Sequence, residues 1–216
     1  MQQTPMPDLS DDRPRPDNAS NEALPSSAGE RELQILRAAG TIIDEEGFEG
    51  FTTTAIAQRA GISTATLYRH FRDKHAVLRA LFHDLRDDRA RHIGPFYTRI
   101  DGEADWRRVI DQLIRLAYQL RVNRSGGQGI RAALQGNPEL RALDQQQNRE
   151  IAQRFSGAFI RRKPDMTQDT AEIVGMVGVA IATGLLDATV RTRFDADRIV
   201  DECISALQKY LAAYLD

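Results

Sequence analysis

The 216-residue chain is 41% hydrophobic, carries a formal charge of −2 at pH 7 and contains one cysteine, Cys203. This suits a packed protein of one large or two small domains, excludes a uniformly basic coat for nucleic acid, and leaves no partner for an internal disulfide. No apolar segment opens the chain as a signal peptide does, and the longest uncharged apolar run, residues 173–186 between Glu172 and Asp187, is too short to span a bilayer, so the expected setting is a reducing cytoplasm with no membrane partner.

Residues 1–26 are rich in Pro, Asp and Ser and poor in large apolar side chains, a composition that predicts a disordered arm. Arg13 and Arg15 suggest a minor-groove contact, but the acids around them argue against it. Ser27-Ala-Gly-Glu30 fits a capping box, after which Leu33, Leu36, Ala39, Ile42 and Ile43 trace the apolar stripe of a first helix ending at Gly47. Phe48 and Phe51 then fold back onto it.

The stretch from Phe51 to Lys74, FTTTAIAQRAGISTATLYRHFRDK, sets Phe51, Ile56, Ala60, Ile62, Leu67 and Phe71 at helical steps of four and five, with a phase break at Gly61. Two short helices result. Thr52 caps the first, Gly61 supplies the left-handed stop, and Ser63 caps a second that runs to about His70. Two brief helices joined by a tight glycine turn form a helix-turn-helix, whose second helix lies in the major groove of DNA. With Leu67 and Phe71 inward, Thr64, Ala65, Tyr68 and Arg69 face outward. The methyls of Thr64 and Ala65 suit a thymine methyl, and Arg69 is the one side chain there able to grip guanine bidentately. From 51 to 80 five Lys or Arg stand against one acid, Asp73, which leaves the rest of the chain acidic.

The pattern T-T-x-x-I-A-x-x-A-G-I-S-x-x-T-L-Y-x-H-F-x-D-K resembles the DNA-binding signature of the TetR-like (tetracycline repressor type) family of bacterial regulators over residues 30–80. The resemblance implies an all-helical homodimer whose larger C-terminal domain binds a small molecule and thereby releases, or less often promotes, DNA binding. It implies that Thr53, Thr66, His70 and Lys74 contact phosphates and that Thr54, Thr64, Ala65, Tyr68 and Arg69 lie over the bases; with the capping Thr52 and Ser63 these form the expected DNA-binding set. Thr54 and Thr64 stand where many relatives carry longer polar side chains, so base reading is expected to be sparse.

Asp73 can cap a fourth helix carrying Val77, Leu78, Leu81, Phe82 and Leu85 to about His92, before Gly94-Pro95 stops it. It links reader to body and is the candidate lever. A fifth helix starts near Asp105 and is apolar on most sides; residues 130–134 read as a short helix; a longer one begins at Pro138 and ends before Lys163-Pro164. Residues 168–190 are packed with Val, Ile, Met and small residues. In residues 196–214, Val200, Ile204, Leu207, Leu211 and Tyr214 alternate steps of four and three. Two such helices per subunit predict a four-helix dimer seam, drawn at Met176, Val179, Thr183, Val200, Ile204, Leu207 and Leu211, although ordinary core of a monomer reads the same way. A dimer supplies two reading heads about one DNA turn apart.

His83, Asp87, Asp88 and His92 have a spacing that could seat a metal, but a salt-bridged face explains it without an ion, and no metal or other cofactor is expected. Cys203 reads as packing rather than a redox sensor. Neither a Walker loop, a dinucleotide fingerprint nor paired catalytic carboxylates occur, so no catalytic residue is assigned. The implied ligand cavity is placed among helices four to eight and lined by Trp106, Tyr118, Phe155 and Phe159. Arg115, Arg121, Arg124 and Arg131 cluster in sequence; surface positions outweigh a site for an anionic effector.

The expectation is an all-α protein with three parts: the arm at 1–26, a three-helix DNA-binding domain at 27–75, and a larger helical bundle for ligand binding and dimerisation at 76–216. It is expected to be a DNA-binding transcriptional regulator, most simply a dimeric repressor released from a palindromic double-stranded operator by a small-molecule effector. A helical enzyme tethered to DNA and an architectural DNA protein are the rivals. The sequence supplies no catalytic groups to the first, and overall acidity counts against the second.

Overall fold

Apolar periodicity becomes helix along almost all of the residues that the computed structural model describes, 27–102, 105–190 and 192–216. The arm expected at 1–26 lies outside the described residues, as does the Ser27 side chain with its expected cap. Among the described residues the order is α1 (Ser27–Gly50), α2 (Thr53–Arg59), α3 (Thr64–His70), α4 (Lys74–Gly102), α5 (Trp106–Asn123), α6 (Gly127–Gly136), α7 (Pro138–Arg162), α8 (Gln168–Ala188) and α9 (Ala196–Leu215).

The local signals act where the residues place them. Gly47, at φ 66°, breaks the helical path within α1. The Thr52 hydroxyl accepts from Ala55 N at 3.1 Å, Ser63 Oγ from Thr66 N at 3.1 Å, and Asp73 Oδ1 from Ala76 N at 2.7 Å. Each cap satisfies a donor that the first turn of a helix leaves unpaired. Gly61 has φ 64°, the left-handed stop between α2 and α3.

One expected boundary is corrected. α4 does not stop at Gly94-Pro95 but carries Pro95 inside it and runs on to Gly102. Proline removes one hydrogen bond there, but Ile93, Phe96 and Ile100 bury themselves in the body core on both sides of it. Each such burial contributes about 1.5–3 kcal/mol, enough to outweigh the local penalty of about 3 kcal/mol. The reading that the apolar run at 173–186 is too short for a bilayer also changes. The helix around it, 21 residues with mean hydropathy 1.6, meets the length and composition for one crossing, yet in this fold it packs against α7 and α9.

Two apolar clusters result. The smaller joins Ile35, Ile42, Phe51, Ile56, Leu67, Phe71, Leu78 and Leu81 to Ile130, Leu134 and Leu140, so α6 and the start of α7 close the underside of the helix-turn-helix unit. A boundary drawn at residue 75 therefore crosses a continuous core. The larger cluster holds Ile93, Phe96, Trp106, Ile110, Phe155, Phe159, Val174, Leu186, Cys203, Leu207 and Leu211.

The junction between α1 and α6 is built from glycine and one carboxylate. Gly126 has φ 87°, and a Cβ at Gly129 would stand 2.3 Å from Ile43 O. Asp44 of α1 accepts from Gly126 N at 2.6 Å and Gly129 N at 2.7 Å, so an anion caps the positive end of α6.

Candidate DNA-reading face and effector cavity

The caps of α2 and α3 fix the two helices so that one surface gathers most of the expected DNA-binding set. Thr52, Thr54, Ser63, Thr64, Ala65, Tyr68 and Arg69 are exposed, while Thr53, Thr66, His70 and Lys74 are half-buried around them. The phenol of Tyr68 lies 3.2 Å from Thr53 Oγ1, which braces α3 against α2. Arg69 Nη2 donates to Thr66 Oγ1 at 3.2 Å, and Thr66 Oγ1 lies 2.9 Å from Ser63 Oγ, so the cap orders the arginine in turn. Lys74 stands 4.4 Å over the Phe48 ring, a cation held at the edge of the face.

The charge here is less positive than a count over residues 51–80 suggests. Arg59 is paired by Glu45 at 2.9 Å and Arg79 by Glu139 at 3.3 Å, both acids from outside that window. Arg72 meets Asp73 at 3.1 Å. The Ala76 N–H and, more weakly, Arg72 hold the Asp73 carboxyl below its usual range. Among the described residues of this window, Arg69 and Lys74 are thus the cations with no acid in ion-pair contact.

The expected seam is divided by the structure. Val200, Ile204, Leu207 and Leu211 are 1–6% exposed and belong to the protomer's own core, which corrects their assignment to a dimer interface. Their heptad-like spacing was satisfied by α5 and α8 instead of a second copy. Met176, at 57% exposure, with Ile173 at 55%, faces outward on α8; Thr183 and Val179 are half-buried beside them. The small residues of α8 also serve the protomer, since a Cβ at Gly175 would lie 2.6 Å from Ala152 O of α7. Cys203 is fully buried, and burial pushes its thiol up to about 11, which makes it a packing group.

A cavity of about 90 Å³ lies inside the body between α4, α5, α7, α8 and α9. Phe155 and Phe159 line it, with Ile93, Ile110 and Leu113. Trp106 and Tyr118 do not, contrary to expectation. Trp106 is buried at the far end of α5, where its Nε1 donates to Asp216 Oδ1 at 3.2 Å, and Tyr118 is a half-buried member of the surrounding packing. One wall is charged: it holds Arg121, which sequence reasoning weighs for an anionic site but places at the surface, and Arg89, which it misses. Arg89 and Arg121 line both this cavity and an adjoining cleft of about 60 Å³ that also includes Arg131 and Asp144.

Arg121 and Arg131, expected at the surface, are instead interior cations. Arg131 donates to Asp187 through Nε at 3.0 Å and Nη2 at 2.6 Å, and to Asp144 through Nη1 at 2.6 Å; Arg121 donates to the same Asp187 Oδ1 at 2.6 Å. Burial lowers Arg121 to about 10, with Arg131 adding its repulsion. Burial also works against Arg131, but Asp187 and Asp144 outweigh it and hold that group above its usual value. Arg124 meets Asp84 at 2.7 Å and Arg115 meets Asp201 at 2.8 Å, both in partly exposed positions. The partners lie tens of residues away in sequence, so no local pattern marks the cluster. Asp88, one of the residues at metal-like spacing, is taken by Arg91 at 3.0 Å and Arg124 at 3.5 Å.

Comparisons with known proteins agree with this geometry. Residues 35–81 match the family model "Bacterial regulatory proteins, tetR family", and residues 105–211 match "Tetracyclin repressor-like, C-terminal domain". The chain is 26% identical to the HTH-type transcriptional regulator UidR of Escherichia coli K12 over 170 residues, 79% of this chain and 80% of that protein. It is 33% identical over 113 residues to the tetracycline repressor class A from transposon 1721 of Escherichia coli, 52% of this chain and 50% of the repressor. In fold it is similar to a regulator assigned to the TetR family from Mesorhizobium loti MAFF303099, with TM-score 0.71 at 16% identity over 88% of this chain and 98% of that one. A second TetR-family regulator, from Streptomyces coelicolor, aligns with TM-score 0.59 at 24% identity over 86% and 99%. With a helix-turn-helix whose reading face is capped and braced, and with both halves matched by models of one family, this chain belongs to the TetR family and is a DNA-binding transcriptional regulator.

Proposed function

We propose that the protein is a dimeric repressor that holds a palindromic operator through α2 and α3 and is released when a small molecule enters the cavity against α4. The observation that carries this reading is the double membership of α4. Leu78, Leu81 and Phe82 on its first half are buried in the reader's core, while Arg89 and Ile93 further along line the cavity. From Lys74 to Arg89 is about 22 Å of helix, so a tilt of about 5° at the cavity displaces the reader by about 2 Å. Three of the relatives' names are those of tetracycline repressors, which fits release by a small molecule.

In this reading Thr53, Thr66, His70 and Lys74 hold phosphates, and Thr54, Thr64, Ala65, Tyr68 and Arg69 meet the bases, with the operator DNA of a bacterial cytoplasm as partner. The second copy covers the outer strip of α8, where Ile173, Met176, Ala180 and Gly184 are exposed on one side of the helix with Thr183 at its edge. The domains are a reader closed underneath by α6 and a body from mid-α4 onward. The buried acids of the body, Asp88 and Asp144, are each paired with arginine, and such pairs hold charge rather than move protons, so a regulator fits them better than an enzyme.

Selection of bound sequences from random DNA tests the proposal. A palindrome with half-sites one or more helical turns apart is expected, with log affinity falling linearly with log salt. Binding to a single asymmetric half-site by a monomer, or no preference among sequences, would refute it.

A further inference from the structure

Arg89 supplies information about the effector that the apolar walls do not. Its Nε and Nη2 are fully buried and meet no hydrogen-bond partner among the described residues. Nearby, Arg121 and Arg131 share Asp187, and Arg131 also takes Asp144, so two carboxylates face three guanidinium groups. Asp144 is further engaged by Asn148 Nδ2 at 3.2 Å, and Asp88, the neighbour of Arg89 in sequence, is held by Arg91 and Arg124. Burial pushes the Arg89 guanidinium below its usual range, Asp144 works against that push, and the charge of Arg131 adds to it. A guanidinium nevertheless keeps its proton at physiological pH. Among the described residues, this buried edge of the Arg89 guanidinium has no hydrogen-bonded counter-charge, and Asp144 and Asp187 support it only at a distance, a strongly unfavourable arrangement unless something completes it.

We infer that the effector is a monocarboxylate on an apolar body, its two oxygens taking the Nε–Nη2 edge of Arg89 and its body lying against Ile93, Ile110, Phe155 and Phe159. This rests on the proposed reading of the cavity as the effector site. One negative charge supplies the partner that this edge lacks. The planar two-oxygen fork of a carboxylate matches two parallel N–H donors on one guanidinium edge, the strongest geometry for this pair. A phosphate ester would bring further oxygens against a wall that is almost entirely aliphatic and aromatic. The cavity, at about 90 Å³, is smaller than the apolar cavity of roughly 150 Å³ that takes up benzene. The body is accordingly a short alkyl chain rather than a ring.

The test uses the full-length protein, unaltered and as Arg89→Met and Arg89→Lys. Isothermal titration is run with n-alkanoates of four to ten carbons and benzoate, beside the alcohols of the same carbon skeletons, and each compound is assayed for release of the selected operator. At least one carboxylate should bind the unaltered protein 10-fold or more tightly than its alcohol and release the operator. The preference should vanish in Arg89→Met and survive in part in Arg89→Lys. Without ligand, Arg89→Met should melt about 2–4 °C above the unaltered protein, because it removes an unpaired charge rather than a partner. A lower melting temperature would show that Arg89 is a structural cation and overturn the inference. Alcohols that bind and release as well as the acids would overturn it while leaving the effector cavity intact, as would release by neutral members of a mixed compound library alone. Failure of every compound to bind or release would overturn both readings.

Discussion

Gly129→Ala tests how closely body and reader are joined. A Cβ there would lie 2.3 Å from Ile43 O, 2.5 Å from Ile43 C and 2.9 Å from Asp44 N. All three are backbone atoms, so no change of rotamer relieves the clash, and α6 must move off α1 by about 1 Å to restore an ordinary contact. The shift also lengthens the two bonds to the Asp44 carboxylate, now 2.6 and 2.7 Å, to the limit of hydrogen bonding. Overpacking of this kind costs about 1–3 kcal/mol, and weakening two bonds to an exposed carboxylate adds about 1 kcal/mol. Alanine's helix preference over glycine returns about 1 kcal/mol, leaving a net loss of about 1–3 kcal/mol. For a chain of this length that lowers Tm by roughly 3–10 °C. The control is Gly157→Ala in α7, where the added methyl meets only the flexible tip of Arg161 at 3.4 Å, so Tm should rise by about 2 °C. Both are read by thermal unfolding followed by circular dichroism. An unchanged or raised Tm for Gly129→Ala would mean that α1 and α6 do not approach as described, and the coupling through α6 would fall with it.

Arg69→Ala should cost about 1–3 kcal/mol at the selected operator and little on random DNA, measured by fluorescence anisotropy; equal losses on both would make Arg69 a phosphate contact instead. Tyr68→Phe removes the 3.2 Å link to Thr53 and should weaken operator binding severalfold without changing Tm by more than about 2 °C. Met176→Glu places a charge at the centre of the exposed α8 strip and should shift the protein to monomer in sedimentation, whereas Leu207→Ala should lower Tm without a change of assembly, by the about 2–5 kcal/mol of a core cavity. Cys203, raised from 9.0 to about 11, should alkylate about 100-fold more slowly at pH 8 than an ordinary thiol. Its neutral thiol favours the folded state fully below pH 9, and that contribution fades as pH rises through 11.

The reader was legible because its information is local. Thr52, Ser63 and Asp73 cap the third residue onward from themselves, and Gly61 turns the chain at its own φ, so neighbouring letters sufficed. The end of α4 was misread because Pro95 is a local penalty, and the burial of Ile93, Phe96 and Ile100 that overrides it is contributed by distant helices. The stripe at Val200, Ile204, Leu207 and Leu211 showed correctly that one face of α9 is buried, but periodicity does not record whether the covering surface belongs to the same chain. The buried arginines were the largest misreading, since the sequence weighs an anionic site for Arg121 and Arg131 and prefers surface positions. Arg121 and Arg131 read as solvated because their shared partner, Asp187, lies 66 and 56 residues away.

The position of that charge cluster bears on how a ligand could move the reader. Arg89 sits on α4, and Arg131 sits on α6 two residues beyond Gly129, whose N–H is held by Asp44 of α1. A carboxylate at Arg89 would thus act on two of the helices that enter the reader's core, through the field of the acids that pair with Arg121 and Arg131. A 100-fold loss of operator affinity requires about 2.7 kcal/mol of difference in ligand binding between the released and bound shapes. Relief of an unpaired buried cation is of that size or larger, and it is available only in a shape that lets the anion reach the Nε–Nη2 edge. On this argument the unpartnered edge of Arg89 is what makes the cavity a switch: replacing Arg89 by an apolar residue should leave the repressor on its operator at carboxylate concentrations that release the unaltered protein.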